Sequence, residues 1–175
     1  MSQTKHVTVL LVDDHAETRR CFHEILRADK SIRIVGEALN GREAVTQAAS
    51  LKPDVILMDF SMPLLNGLEA SKLILKADPS AKVVIVSAYT DKQYVEQASE
   101  AGTVGFLGKL SAAELLVDAV HEVAKGNLYF GIRTEKRSPP HGGPARSDPE
   151  NCAGWVRQLV GKRRGRTSVR QPAAS

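Results

Sequence analysis

The sequence predicts an α/β fold: a five-stranded parallel sheet, doubly wound by helices and followed by a largely disordered basic tail. Three observations carry this. Short Val/Ile/Leu-rich runs alternate with helical patterns five times before Phe130. The runs are near-continuously apolar rather than alternating, as strands buried on both faces are. Beyond Phe130 the composition changes abruptly to Pro, Gly and Arg among polar residues.

The first run is HVTVLLV, ending at Val12, and ETRRCFHEILRA then places Cys21, Phe22, Ile25 and Leu26 at helical spacing. IRIVGEA reads as a second strand, and Asn40-Gly41 opens a helix carrying Ala44, Val45, Ala48 and Ala49. The third strand, DVILM, ends at Asp59; Met62-Pro63 turns the chain, and a helix with Leu68, Leu73 and Ile74 follows. KVVIVSA is a central strand, succeeded by a polar helix over about 91–100. TVGFLG forms a short fifth strand. In SAAELLVDAVHEVAKG, Ser111 and Glu114 read as a capping box, Leu115, Leu116, Ala119, Val120 and Val123 share a face, and Gly126 stops the helix.

Residues 1–130 therefore form one domain, and residues 131–175 a Pro/Gly/Arg-rich tail with one short helix expected near 149–160, where Asp148-Pro149-Glu150 supplies a start signal. The tail holds ten Lys/Arg against Glu135, Asp148 and Glu150, a net +7, which leaves −3 for residues 1–130 out of the chain's +4. The apolar run Val7–Val12 is interrupted by Thr8 and is far too short for a membrane span or signal core, so a cytoplasmic protein is expected. Cys21 and Cys152 lie far apart without C-x-x-C spacing and suggest neither a disulfide framework nor a zinc site.

In a parallel sheet of this kind, ligands bind at the carboxyl ends of the strands. Strand one ends in Asp13-Asp14, strand three in Asp59, strand four in Ser87, and strand five runs into Lys109. Three gathered carboxylates repel, and a hard divalent cation relieves the repulsion; Mg²⁺ is the natural candidate because it binds one or two carboxylates and keeps waters for a phosphate ligand. A carboxylate so placed, with Lys and Ser donors nearby, can attack a phosphoryl group and become an aspartyl phosphate.

The motifs LLVDDH (10–15), DVILMDFSMPLLNG (54–67), VVIVSA (83–88) and GFLGK (105–109), in this order, resemble those of response-regulator receiver domains of the NarL/FixJ type over residues 6–130. The resemblance implies a flavodoxin-like, CheY-like fold in a bacterial two-component system. It implies Asp59 as phosphoacceptor, Asp13, Asp14, Asp59 and the Phe60 backbone carbonyl as Mg²⁺ ligands, Lys109 and Ser87 as phosphoryl contacts, and Ser87 with Phe106 as a switch in which the aromatic turns inward. It further implies a sensor histidine kinase as donor and a phosphorylation-dependent homodimer formed through residues 91–126. Leu110 replaces the proline that many receivers carry after the lysine, and Gly108 replaces a larger apolar residue.

Two other functions compete. An aspartyl-phosphate phosphatase of the haloacid-dehalogenase type needs D-x-D at the first strand, where this chain has Asp13-Asp14-His15. A DNA-binding transcription regulator needs a complete helix-turn-helix after the receiver, on the order of 50–65 residues. The tail holds a single apolar stripe and the basic run Lys162–Arg166, which suits a truncated or frame-shifted output domain or a private extension. His15 and His23 read as surface or turn residues.

Overall fold

A computed structural model of the chain describes residues 6–131. Eleven elements follow one another: β1 (Val7–Val12), α1 (Ala16–Arg27), β2 (Ile32–Ala38), α2 (Gly41–Leu51), β3 (Val55–Asp59), α3 (Gly67–Ala77), β4 (Val83–Ser87), α4 (Lys92–Glu100), β5 (Gly105–Gly108), α5 (Lys109–Ala124) and β6 (Tyr129–Gly131). The strands form one sheet in the order β2-β1-β3-β4-β5-β6, every pair parallel. The chain reverses direction across the sheet between β1 and β3, so the crevice at their carboxyl ends is where such a fold binds ligands.

The sheet is apolar on both faces because both are covered. On one face Val9, Leu11, Leu57, Val84 and Leu107 pack against Phe22 and Leu26 of α1 and Leu116, Val120 and Val123 of α5. On the other, Leu10, Ile56, Met58, Ile85 and Phe106 pack against Ala44 and Ala48 of α2, Ala70 and Ile74 of α3, and Ala98 of α4. The small alanines on α2 and α3 let those helices lie close to the strands.

The structure corrects the sequence reading in several places. The sheet has a sixth strand, β6, whose three residues are too few to show a period in sequence and are held by register with β5. Helix α5 begins at Lys109, with Gly108 as N-cap, so Ser111 lies inside the helix and is not its cap. Leu73 is about half exposed rather than part of the helix's buried face. Cys21 is buried; Cys152 lies outside the described residues. The expectations for 132–175, including the short helix near 149–160, also fall outside them.

Two asparagine caps set the loops around the crevice. Asn40 Oδ1 accepts from the Glu43 N–H (3.0 Å), while Glu43 Oε2 accepts from the Leu39 N–H (2.9 Å), a reciprocal arrangement that starts α2. Asn66 Oδ1 accepts from the Glu69 N–H (2.9 Å) and starts α3. Gly67 follows at once, and its lack of a side chain is required: a Cβ there would stand 2.0 Å from the Asp59 carbonyl oxygen.

Candidate functional site

Asp13 follows the end of β1, Asp59 closes β3, Ser87 closes β4 and Lys109 follows β5, so parallel register delivers them to one edge. Asp59 and Asp13 are almost fully buried, at 3% and 1% exposure. Lys109 Nζ lies between them, 3.0 Å from Asp59 Oδ1 and 2.8 Å from Asp13 Oδ2. Asp13 is held from two sides: its Oδ1 accepts from the His15 N–H (2.8 Å), and its backbone carbonyl accepts from Arg19 Nη1 (2.8 Å). Arg19 in turn reaches Glu37 at 3.3 Å, linking α1 to β2.

Asp14 supplies the third carboxylate. Its Oδ1 is buried and accepts no hydrogen bond, although His15 Nδ1 is 2.9 Å away. Proximity without a hydrogen bond leaves that lone pair unsatisfied, a costly state for a buried carboxylate oxygen. Ligand atoms of Asp13, Asp14, His15 and Asp59 all lie within 4.8 Å of one another. His15, read from sequence as a surface or turn residue, is indeed exposed, but its ring borders this cluster. Its adjacency to the acidic pair was the signal; metal-type spacing was not.

Electrostatics show an excess of negative charge. Burial, then the Asp13 charge, pushes the Asp59 pKa up to about 6, and Lys109 only partly opposes this. Burial works against the Lys109 ammonium too, but Asp13 and Asp59 together outweigh it and raise its pKa. The two partners thus shift for different reasons: the lysine gains two anions, whereas Asp59 gains one cation, one anion and a dry environment. One cation for three carboxylates leaves room for more positive charge, and an orphaned oxygen faces it. At neutral pH Asp59 remains mainly ionised.

Ser87 is fully buried, and its Oγ accepts from the Tyr89 N–H at 3.0 Å, leaving the hydroxyl proton free to donate. Phe106, expected to swing inward, has no exposed surface and already lies in the core with Ile85, Val83 and Ala98. The Phe60 carbonyl, expected on a metal, accepts from the Gly67 N–H at 3.0 Å, so one of its two lone pairs is turned toward α3. Gly108 makes room for Thr90: a Cβ there would meet Thr90 Cγ2 at 2.7 Å, so this glycine seats the β4–α4 loop against β5. A cleft of about 570 Å³ opens beside Asp14, lined by Phe60, Met62, Pro63, Leu68 and Gln97 among others.

The response regulator receiver domain family matches residues 9–121. The chain belongs to that family. The receiver is 40% identical over 117 residues to the chemotaxis protein CheY of Thermotoga maritima, covering 67% of this chain and 97% of that protein. It is 38% identical over 124 residues to the uncharacterized transcriptional regulatory protein YxjL of Bacillus subtilis, and 37% identical over 124 residues to the response regulator UvrY of Escherichia coli. In both cases 71% of this chain matches, and the receiver spans 57% of the relative's length. Among solved structures, the response regulator domain of Thermotoga maritima CheB superposes with a TM-score of 0.65 at 34% identity, covering 69% of this chain and 97% of that one. The receiver domain of the putative response regulator NarL from Mycobacterium tuberculosis gives 0.68 at 32%, covering 70% and 99%. The protein is a response-regulator receiver and a component of two-component phosphorelay signalling. Among the described residues no helix is long and apolar enough to cross a membrane.

Proposed function

We propose that Asp59 is the phosphoacceptor of this receiver. The observation that carries the reading is a buried, mainly ionised carboxylate at a strand end, 3.0 Å from a lysine ammonium and beside an acidic pair with an unsatisfied oxygen. An Asp59 carboxylate oxygen attacks phosphorus; the O–P bond forms as the bond from phosphorus to a donor imidazole nitrogen breaks, and its electron pair stays on that nitrogen. The donor is the phosphohistidine of a sensor kinase.

The carboxylates of Asp13, Asp14 and Asp59 fit Mg²⁺, with the second lone pair of the Phe60 carbonyl as a further ligand. When bound, Mg²⁺ offsets the charge that gathers on the phosphoryl oxygens. Lys109 is positioned to pair with one of those oxygens once Asp59 is esterified, and it orients the acceptor beforehand. Ser87 donates its free hydroxyl proton to another. Asp13 holds Lys109 in place throughout.

In this reading residues 1–130 are the receiver and residues 131–175 a separate tail. The protein acts in the cytoplasm as a regulatory module rather than a dedicated enzyme. Phosphorylation favours a homodimer through residues 91–126, and the output is transcription regulation, as the name transcriptional regulatory protein suggests for YxjL. The test is incubation with Mg²⁺ and acetyl phosphate followed by intact-mass analysis. Wild type gains one phosphoryl group and Asp59→Asn gains none; equal gains in both discard Asp59 as the acceptor.

A further inference from the structure

Three aromatic rings form an assembly between the site and α4. The Phe60 ring meets Tyr94 edge-on, with centroids 5.2 Å apart and planes at 86°. Tyr94 also stacks on Tyr89, at 5.4 Å and 29°. Both outer rings are attached to the reactive edge. Phe60 directly follows Asp59 in the chain, and the Tyr89 N–H is bonded to Ser87 Oγ. The central ring belongs to the first turn of α4.

Helix α4 is otherwise lightly held at that turn, where Tyr94 and Val95 pack partly buried against the core. Its N-cap Asp91 makes no side-chain capping bond, and of its nine residues only Ala98, near the far end, is buried. Tyr89 is 54% exposed, whereas Phe106 is fully enclosed by core residues. Tyr89 therefore has room to rearrange, whereas Phe60 and Tyr94 also pack against the core.

We propose that Tyr94 is the residue through which α4 senses the state of Asp59 and Ser87, with Phe60 and Tyr89 as its two inputs. The inference rests on Asp59 being the phosphoacceptor. A phosphoryl group on Asp59 adds bulk and charge next to the Phe60 backbone. A Ser87 hydroxyl drawn toward that group withdraws the acceptor of the Tyr89 N–H. Edge-to-face and stacked pairs are directional, so displacing either neighbour changes the seat of the Tyr94 ring. The first turn of α4, which meets the core only through Tyr94 and the partly buried Val95, follows it. This is a two-state packing change biased at the site and read on a helix.

The experiment uses the full chain with Mg²⁺ and acetyl phosphate, following phosphoryl uptake by intact mass and amide hydrogen exchange of residues 92–100 in the same samples. In wild type, uptake changes the exchange of α4. Tyr94→Leu takes up the phosphoryl group at the wild-type rate, but the exchange change disappears. Tyr94→Phe, which keeps the ring and loses the hydroxyl, retains it. Normal uptake by Tyr94→Leu with a wild-type response in α4 overturns this proposal alone. So does loss of the response in Tyr94→Phe, because the ring would then not be the carrier. Absence of uptake in wild type overturns the phosphoacceptor reading and this proposal together.

Discussion

Replacing Gly67 by alanine tests how Asp59 is held in position. Gly67 opens α3, is buried, and donates its N–H to the Phe60 carbonyl. An added Cβ would lie 2.0 Å from the Asp59 carbonyl oxygen, 3.0 Å from its carbonyl carbon and 3.1 Å from Met58 Cγ. Since comfortable carbon contacts begin near ~3.5 Å, backbone must move by on the order of 1 Å. The Cβ is fixed by the helix backbone and the Asp59 carbonyl is main chain, so no rotamer change relieves that clash. Overpacking of this kind costs about 3 kcal/mol, the upper end of the usual range, and lowers the melting temperature by roughly 10 °C in a domain of this size. A reacting carboxylate displaced by ~1 Å loses on the order of 100-fold in rate. Phosphoryl uptake from acetyl phosphate, timed by intact mass, and thermal melting by circular dichroism measure both effects. Gly126→Ala is the control: nothing lies within 4 Å of its Cβ, but its φ of +98° disfavours alanine. It therefore loses about 1–2 kcal/mol with its phosphorylation rate unchanged. If Gly67→Ala is phosphorylated within a few-fold of the wild-type rate and melts with Gly126→Ala, the close approach of α3 does not position Asp59.

Other perturbations probe other parts of the argument. Asn40→Ala removes a reciprocal cap and costs about 1 kcal/mol, seen as a lower urea midpoint with an unchanged slope. Lys109→Ala leaves three carboxylates facing one another, two of them nearly buried, and destabilises the chelator-treated protein by about 3 kcal/mol. Mg²⁺ restores more stability to this variant than it adds to wild type, and equal gains in thermal shift would count against a metal site at the carboxylates. The same variant takes up the phosphoryl group slowly and does not dimerise by light scattering; full-strength dimerisation would detach Lys109 from the coupling. Acid stability depends in part on Asp29, whose pKa is lowered to about 2 chiefly by the Ser31 hydroxyl and amide, with His121 adding to it. A depressed carboxylate stabilises the fold above its unfolded value and loses that contribution as pH falls from about 4 toward 2. Because the group is only partly buried and solvent screens it, the contribution is about 1 kcal/mol, and Asp29→Asn flattens the melting temperature over that window relative to wild type.

What could be read before the structure follows the reach of each interaction. The strands were legible because burial on both faces writes a continuous apolar run, and the strand-end carboxylates because parallel register brings chain ends to one edge. The start of α5 was misread: Ser111 and Glu114 match a capping pattern, yet the extended backbone at Gly108 lets the helix begin at Lys109. Strand β6 was missed because its three residues are defined by their pairing with β5 rather than by local pattern. The ring contacts of Phe60, Tyr89 and Tyr94 depend on how the β3–α3 and β4–α4 loops meet, which no local spacing encodes. In sequence Gly67 was only the last residue of the DVILMDFSMPLLNG motif, and its role as clearance for the Asp59 backbone is a property of packing.

Strand β6 has a geometric consequence of its own. It runs parallel to the other five strands, so at Gly131 the chain stands on the same rim as Asp59 rather than on the opposite one. The order β3-β4-β5-β6 separates the two by three strand spacings, on the order of 14 Å at ~4.8 Å each. A segment attached after Gly131 thus starts on the rim that carries Asp59. A handful of extended residues spans the gap, at ~3.3 Å each. Any binding group joined to Gly131 across so short a distance would meet that rim at an effective concentration on the order of millimolar, so even an intrinsically weak affinity for it would become a substantial bias.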